Sequence, residues 1–304
     1  MKKYTAEAIL IFITVIWGAT FVIIKVALAD VSPLAFVAVR FILAAVILFP
    51  FCIKIRKSFN KILTLSGILL GAMFFLGFAT QTIGLKYTSA TKSGFITGTF
   101  VLFTPVFQLL FEKKKPSKGN LLGVLFVIAG LILLSSKGNS IFEVFHEIGS
   151  GFNIGDFFTL LCAVFFAMYL VYLDILTKKY EFFPLVILQV GTTAVLGIIF
   201  AFALSSFELE PFKLVINKNV IFALLYTSIL ATVLSTTLQT KYQKYLTPTK
   251  VGIILSFEPI FSAVTAFIFL GEIISRFSLM GGILIFAGLL VTELFDKLKF
   301  NHEQ

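Results

Sequence analysis

Ten apolar stretches without a charged residue follow one another along the chain, and they restrict it to one class of fold. They cover residues 8–24, 41–53, 62–85, 93–111, 119–136, 157–173, 182–207, 219–240, 259–271 and 277–292. Most approach the roughly 18–20 residues that a helix needs to cross the hydrocarbon core of a bilayer. Backbone groups in that core must be hydrogen-bonded within the protein, and the alternating strands of a barrel do not occur in the sequence. The sequence therefore predicts an all-α membrane protein.

The predicted transmembrane helices fill almost the whole chain. We place ten of them at residues 6–28, 33–53, 63–85, 92–111, 119–136, 155–176, 183–206, 219–240, 247–270 and 277–295. The composition agrees, because 59 % of the residues are hydrophobic and only 13 % are charged, far from the averages of soluble domains. Only the connection 137–154 is long, so no room is left for a soluble domain.

The sequence also repeats itself. Residues 81–130 match residues 239–288 at a constant offset of 158 positions, so that Gln81 is equivalent to Gln239. A weaker match at an offset of 149 makes Glu7, Trp17 and Arg40 equivalent to Asp156, Phe166 and Gln189. The chain is therefore predicted to consist of two copies, residues 1–150 and 151–304, with five spans each. Because five is odd, the second copy must be inverted relative to the first, as in many secondary transporters.

Basic residues are distributed unevenly between the two sides of this topology. With the N-terminus inside, seventeen lysine and arginine residues fall in inside loops and six in outside loops. The positive-inside rule then predicts a multi-pass protein of the cytoplasmic (inner) membrane with both termini in the cytoplasm. The net charge of +10 is explained by this topology and by anionic lipid headgroups, not by nucleic acid. Lys2-Lys3 and Ala27-Leu28-Ala29 imitate a cleaved signal, but we expect the first helix to be retained.

An ordered set of motifs resembles one family over both copies. The set comprises Trp17-Gly18-Ala19-Thr20-Phe21 with Lys25, Arg40-Phe41, residues 84–90, Pro105, Pro259, Gly271-Glu272, and Gly123 with Ala129-Gly130 repeated as Gly281 with Ala287-Gly288. Together they resemble the EamA family of the drug/metabolite transporter superfamily. The resemblance implies two inverted five-helix repeats around a central cavity that carries small polar or amphipathic metabolites. The second copy departs from the motifs, with Phe166-Ala167 in place of Trp17-Gly18.

Two charged residues inside spans are candidates for substrate binding. Glu258 lies near the centre of the ninth span, where an ionised group costs roughly 2.5–3.5 kcal/mol and needs a partner, a proton or water. Arg40 lies inside the second span and has the planar geometry for a carboxylate, either of a substrate or of Glu258. The alternatives for Glu258 are a structural ion pair or a misplaced span boundary, and the alternative for Arg40 is snorkelling toward the nearer interface with a structural role.

Three uncharged residues are further candidates for the cavity wall. Trp17 is the only tryptophan, and it falls in mid-span instead of in the interfacial belt. Gln81 and Gln239 are repeat equivalents whose amides need partners in hydrocarbon. We predict that all three contact substrate, with helix packing and interhelical hydrogen bonds as the alternatives.

Pro105 and Pro259 are predicted to kink the fourth and ninth spans. A proline removes one backbone donor and clashes with the carbonyl four residues earlier, and in the ninth span that carbonyl belongs to Leu255. The two prolines differ by four residues from the repeat offset, which is about one helical turn. A kinked pair of equivalent helices would suit the moving elements of alternating access, and this is our hypothesis for gating.

Two classes of function compete on this evidence. An integral-membrane enzyme acting on lipid or headgroup substrates would need clustered carboxylates or an activated nucleophile, and an ATP-driven pump would need a nucleotide-binding loop. The sequence contains neither a H-E-x-x-H motif, a paired acidic motif nor such a loop. We therefore predict a secondary transporter and not an enzyme, with the enzyme as the alternative.

The expected partners are a small-molecule substrate and the lipid bilayer, without nucleic acid, metal or cofactor. The resemblance favours export of amino acids or related amphipathic compounds. Proton exchange and facilitated diffusion both remain open as the driving mechanism, and a monomer or a weak homodimer is expected. Cys52 and Cys162 are too few and too far apart in sequence for a disulfide framework.

Overall fold

The computed structural model describes residues 2–55, 58–134, 152–271, 273 and 275–302, without the side chains of residues 134, 278, 293 and 296–302. This part of the chain forms ten helices and no β-sheet. The helices are α1 (Lys2–Ala27), α2 (Pro33–Lys54), α3 (Lys61–Tyr87), α4 (Ala90–Glu112), α5 (Lys118–Leu134), α6 (Ile154–Thr177), α7 (Phe182–Ser206), α8 (Lys218–Tyr245), α9 (Pro248–Leu270) and α10 (Arg276–His302). The predicted all-α fold with ten helices is confirmed.

The ten helices differ in how much apolar length they offer a membrane. In the described part of the chain, eight of them are long and apolar enough to cross a bilayer. The other two, α5 and α10, have shorter apolar runs at Lys118–Leu133 and Leu279–Thr292, and they pack against each other. Three features of the sequence analysis lie outside the described residues. They are Glu272, most of the connection 137–154, and the predicted boundary between the copies at residues 150 and 151.

Polar side chains decide where five of the helices begin. A side-chain oxygen accepts a hydrogen bond from the first turn of α3, α4, α6, α8 and α9, and the capping residues are Asn60, Ser89, Asn153, Asn217 and Thr247. An apolar run carries no signal for its first residue, whereas a cap satisfies donors that no earlier carbonyl can reach. At α6 the bonding is reciprocal, because the Asp156 carboxylate also accepts from the backbone of Asn153.

Two equivalent helices are broken at equivalent points. α4 is interrupted at Thr99, which separates Ala90–Gly98 from Phe100–Glu112. α9 is interrupted at Ser256 and Phe257. Thr99 and Phe257 are related by the offset of 158 positions, so the two breaks lie at the same point of the two repeats.

The predicted proline kinks are only partly the reason for these breaks. Pro259 lies in the first turn of the segment after the break, Glu258–Leu270, where a missing backbone donor does no harm. Pro105 lies more than one turn into Phe100–Glu112, well after Thr99. In α9 the break therefore lies beside its proline, whereas in α4 the position of the break follows the repeat and not Pro105.

α8 changes its hydrogen-bonding pattern in the middle. Lys218–Leu225 and Ser235–Tyr242 are α-helical, whereas Tyr226–Leu234 between them is a π-helix, in which each N–H bonds to a carbonyl five residues back. The equivalent residues 68–76 of α3 are α-helical. The π-helix is therefore a feature of the second repeat alone.

Glycines bring α5 and α10 together in antiparallel orientation. A methyl group at Gly123 would lie 2.8 Å from the carbonyl oxygen of Gly288, and one at Gly130 would lie 2.6 Å from that of Gly281, so the backbones are in close contact. Gly123 and Gly130 are the repeat equivalents of Gly281 and Gly288, so exchanging the repeats exchanges the two contacts. The beginning of one helix lies beside the end of its equivalent, which is the geometry of inverted repeats.

Two ion pairs are also interchanged when the two repeats are exchanged. Lys92 Nζ lies 2.7 Å from Asp156 Oδ2, and Lys250 Nζ lies 2.8 Å from Glu7 Oε1. Each pair joins the start of a broken helix to the start of the first helix of the other repeat, and α1 and α6 start at opposite ends of the bundle. We call the face where α1 begins the N-terminal face. The Lys250–Glu7 pair lies near this face and the Lys92–Asp156 pair near the opposite face.

The glycine contact leads to a stability prediction. Gly123→Ala should lower the free energy of unfolding by about 1–3 kcal/mol, because the added methyl group overlaps the α10 backbone. Gly191→Ala in α7 is the matched control, since no atom lies within 4 Å of its added methyl group. That change should raise the stability by up to about 1 kcal/mol through helix propensity. Thermal unfolding of the purified protein in detergent measures both, and equal effects would contradict the close α5–α10 contact.

Candidate substrate-binding site

A cavity lies between the two repeats. Residues from seven helices line it: Trp17, Thr20, Arg40, Phe74, Phe78, Gln81, Phe100, Phe166, Tyr169, Leu170, Gln239, Leu255 and Glu258. All five residues that the sequence analysis predicted to bind substrate are among these lining residues, although they come from α1, α2, α3, α8 and α9. Their role in binding remains a prediction. Pro105 and Pro259 are not part of the lining.

The cavity lies on the pseudo-twofold axis of the molecule. Eight of its lining residues form four pairs of repeat equivalents: Trp17 with Phe166, Thr20 with Tyr169, Gln81 with Gln239, and Phe100 with Glu258. A surface built from equivalent residues of two inverted repeats is where alternating-access transporters bind their substrates. Tyr169 and Phe100 were missed by sequence reasoning, although the offsets that relate them to Thr20 and Glu258 were available.

Glu258 is the acidic group of this cavity. It follows the break in α9 and therefore lies in the first turn of a helical segment, where the helix dipole favours a negative charge. The residue is only 8 % exposed. Within the described part of the chain, no side chain hydrogen-bonds or forms an ion pair with its carboxylate. The alternative of a structural ion pair is therefore not what the structure shows.

Arg40 is the basic group of the same cavity. Its Nε donates a 2.9 Å hydrogen bond to Thr232 Oγ1 in the π-helix of α8. Its guanidinium carbon lies 4.4 Å from the ring centre of Phe78 and 5.2 Å from that of Phe41. The side chain is 1 % exposed and points inward, so it does not snorkel. No carboxylate of the described residues pairs with it, and Glu258 is not its partner.

Trp17 is anchored to the π-helix as well. Its indole Nε1 donates a 2.9 Å hydrogen bond to the carbonyl oxygen of Ala231. This contact satisfies the polar edge of the ring and leaves the aromatic surface as part of the cavity wall. Both predicted environments of Trp17, cavity wall and helix contact, are therefore present at once.

The two cavity glutamines are bonded differently despite their symmetry. Gln81 Nε2 donates to Thr97 Oγ1 at 3.3 Å, and Gln239 Nε2 donates to Gln243 Oε1 at 3.2 Å. The Gln239 Oε1 atom is buried and has no hydrogen-bond partner in the described part of the chain. An unsatisfied buried acceptor is costly, so this atom is available to a donor in the cavity.

Gln189, the repeat equivalent of Arg40, has no free hydrogen-bonding group for a ligand. Gln189 Oε1 accepts from Tyr169 at 2.9 Å, and Gln189 Nε2 donates to Thr240 at 3.0 Å. The residue is fully buried and does not line the cavity. The basic group of the cavity therefore comes only from the first repeat. Its acidic group comes only from the second, because Phe100 takes the place of Glu258 in the first.

Comparison with known proteins agrees with this architecture. The model of the EamA-like transporter family matches residues 5–136 and again residues 153–294, one match per repeat. The chain belongs to the EamA-like transporter family. An uncharacterized transporter of Archaeoglobus fulgidus is 32 % identical over 97 % of this chain and 87 % of that protein. The uncharacterized transporter YyaM of Bacillus subtilis is 26 % identical over 96 % of this chain and 95 % of that protein.

A structural comparison supports the fold of this family member. One crystal structure of a protein matches 96 % of this chain and 97 % of its own chain, with a TM-score of 0.72. At 15 % identity the likeness shows the fold alone. The EamA chain is thus a membrane transporter with the two-repeat fold of its family, and the sequence resemblance is confirmed.

The enclosure of the cavity can be tested through the single tryptophan. Trp17 should be quenched several-fold less by acrylamide than a tryptophan in water, because the helices around the cavity shield it. The matched control is the double variant Trp17→Phe/Phe207→Trp, since Phe207 is 76 % exposed. Stern–Volmer quenching in detergent measures both. Equal quenching of the two proteins would show that the cavity is open to water.

Proposed function

We propose that this EamA transporter carries small zwitterionic amphipathic metabolites, with amino acids as the chemical class, out of the cell by alternating access. The proposal rests on one observation: the cavity holds a guanidinium and a carboxylate that do not pair with each other. Two buried charges without partners are costly in a membrane, and a ligand with both an ammonium and a carboxylate group would neutralise both. The export direction rests on the family resemblance.

The remaining lining fits the rest of such a ligand. Six of the lining residues are aromatic: Trp17, Phe74, Phe78, Phe100, Phe166 and Tyr169. An apolar side chain of the ligand gains free energy by leaving water for this surface. Gln81 and Gln239 add hydrogen-bonding groups, and the free Gln239 Oε1 suits an ammonium or hydroxyl donor.

The breaks in α4 and α9 are our candidates for the hinges of alternating access, with Pro105 and Pro259 limiting how far the two helices can straighten. Backbone at a break has fewer helical hydrogen bonds to lose when the segments move. Glu258 is placed directly after the α9 break, so a change in its charge would act on the hinge itself. Proton exchange through Glu258 is therefore the form of coupling that we favour.

A matched set of three compounds tests the substrate class. Leucine, its decarboxylated amine (isoamylamine) and its deaminated acid (4-methylpentanoate) differ only in the two charged groups. In proteoliposomes, Arg40→Lys should raise KM about tenfold for leucine and the acid but not for the amine. Glu258→Gln should raise KM about tenfold for leucine and the amine but not for the acid.

Exposed residues provide the controls for these variants. Arg276→Lys and Glu181→Gln make the same chemical changes at exposed positions and should leave all three KM values unaltered. Saturable uptake of the amine alone, or loss of all three activities in both cavity variants without selectivity, would contradict a zwitterionic substrate. The response of leucine flux to an imposed pH gradient would separate proton exchange from facilitated diffusion.

We also propose that the chain lies in the cytoplasmic membrane with both termini inside. A relative named an uncharacterized inner membrane transporter, YedA of Escherichia coli, is 27 % identical over 41 % of this chain. In a variant without Cys52 and Cys162, Leu209→Cys should react with an impermeant maleimide on intact cells, because Leu209 is 75 % exposed between α7 and α8. Lys179→Cys, between α6 and α7, should react only after lysis. The reverse labelling pattern would overturn this orientation.

A further inference from the structure

The π-helix of α8 is a local deviation that the repeat does not require. π-helical turns are rare, and they are frequently found at functional sites. The equivalent stretch of α3 is α-helical, although it packs in the equivalent place. The altered register of Tyr226–Leu234 is therefore not shared by the equivalent stretch of the first repeat.

The contacts of the π-helix show what depends on it. Ala231 accepts the indole N–H of Trp17 through its carbonyl oxygen, and the next residue, Thr232, accepts the Nε–H of Arg40 through its hydroxyl, both at 2.9 Å. Tyr226, at the start of the π-helix, donates to the carbonyl oxygen of Ile16 at 3.1 Å. One π-helical segment thus holds two cavity residues that belong to the other repeat.

The bond to Thr232 restricts how Arg40 can bind a ligand. A guanidinium offers a carboxylate two bidentate edges, one with Nε and one terminal nitrogen and one with both terminal nitrogens. Thr232 occupies the Nε position, so the first edge is blocked. The rings of Phe78 and Phe41 lie against the group and limit its rotation. Only the edge with both terminal nitrogens remains for a ligand.

From this geometry we propose that Thr232 is a positioning residue, which orients the Arg40 guanidinium for end-on recognition of a substrate carboxylate. The proposal rests on the proposed function, in which Arg40 binds that carboxylate. Thr232 itself does not line the cavity and is fully buried, so it acts through Arg40 and not on the ligand. Its effect should be confined to substrates that carry a carboxylate.

Thr232→Val tests the positioning role, because valine keeps the shape of threonine without the acceptor oxygen. In proteoliposomes, KM for leucine and for 4-methylpentanoate should rise about tenfold, while KM for isoamylamine and the turnover of all three compounds stay within twofold of wild type. Thr232→Ser restores a hydroxyl and should restore the wild-type KM values.

Thr227→Val is the matched control within the same π-helix. The Thr227 hydroxyl bonds only to the carbonyl oxygens of Ala223 and Leu224 in its own helix, so its loss should not discriminate between the three compounds. An equal rise of all three KM values in Thr232→Val would show a merely structural role and overturn the proposal. Unaltered KM values would overturn it as well.

A second measurement does not depend on transport. The chain has three arginines, Arg40, Arg56 and Arg276, so the ¹⁵Nε–H spectrum of arginine-labelled protein should contain three signals. The Arg40 signal, assigned by its loss in Arg40→Lys, should exchange slowly with solvent in wild type, and Thr232→Val should shift it and accelerate its exchange. An unaltered Arg40 signal refutes the positioning role. Absence of saturable flux for all three compounds in wild type refutes the proposed function instead.

Discussion

The high free energy of an unpaired charge in the membrane is the constraint on which this structure depends. Charged residues inside the bundle are concentrated at three levels. Lys250 with Glu7 lies near the N-terminal face, Lys92 with Asp156 lies near the opposite face, and Arg40 and Glu258 lie in the cavity between them. In these two pairs each charge is neutralised by a residue of the other repeat, which ties the repeats together. The buried Asp174 is instead paired with Lys178 of its own helix. In the cavity, Arg40 and Glu258 do not pair with each other, and both are available to a ligand.

Duplication and later divergence explain how one cavity can have two chemically different ends. The inverted repeats place equivalent residues around the axis, and a strictly symmetric pair would offer a ligand the same group twice. Here the equivalent of Arg40 is Gln189, whose amide group is hydrogen-bonded to Tyr169 and Thr240. The equivalent of Glu258 is the apolar Phe100. Each repeat therefore contributes one charge of opposite sign. The π-helix of α8, which also occurs in only one repeat, holds the basic end in place.

Sequence reasoning was most successful where burial in lipid governs the outcome. The apolar runs predicted ten helices with ends close to those observed, and depth in the spans identified Trp17, Arg40, Gln81, Gln239 and Glu258 as lining residues of one cavity. It was least successful where hydrogen-bond geometry governs the outcome. The break in α4 lies at Thr99 and not at Pro105, and the π-helix has no signal in composition or periodicity.

The repeat offsets already relate Lys92 to Lys250 and Glu7 to Asp156, and an odd number of spans per copy already requires that the copies be inverted. These conclusions follow from chain connectivity and from the insolubility of peptide groups in hydrocarbon, so no coordinates are needed for them. That each lysine pairs with the acidic residue of the other repeat, and that Arg40 binds Thr232 and not Glu258, was decided only in three dimensions. Such contacts depend on distances of a few ångströms between segments far apart in the chain, which no pattern along one sequence specifies.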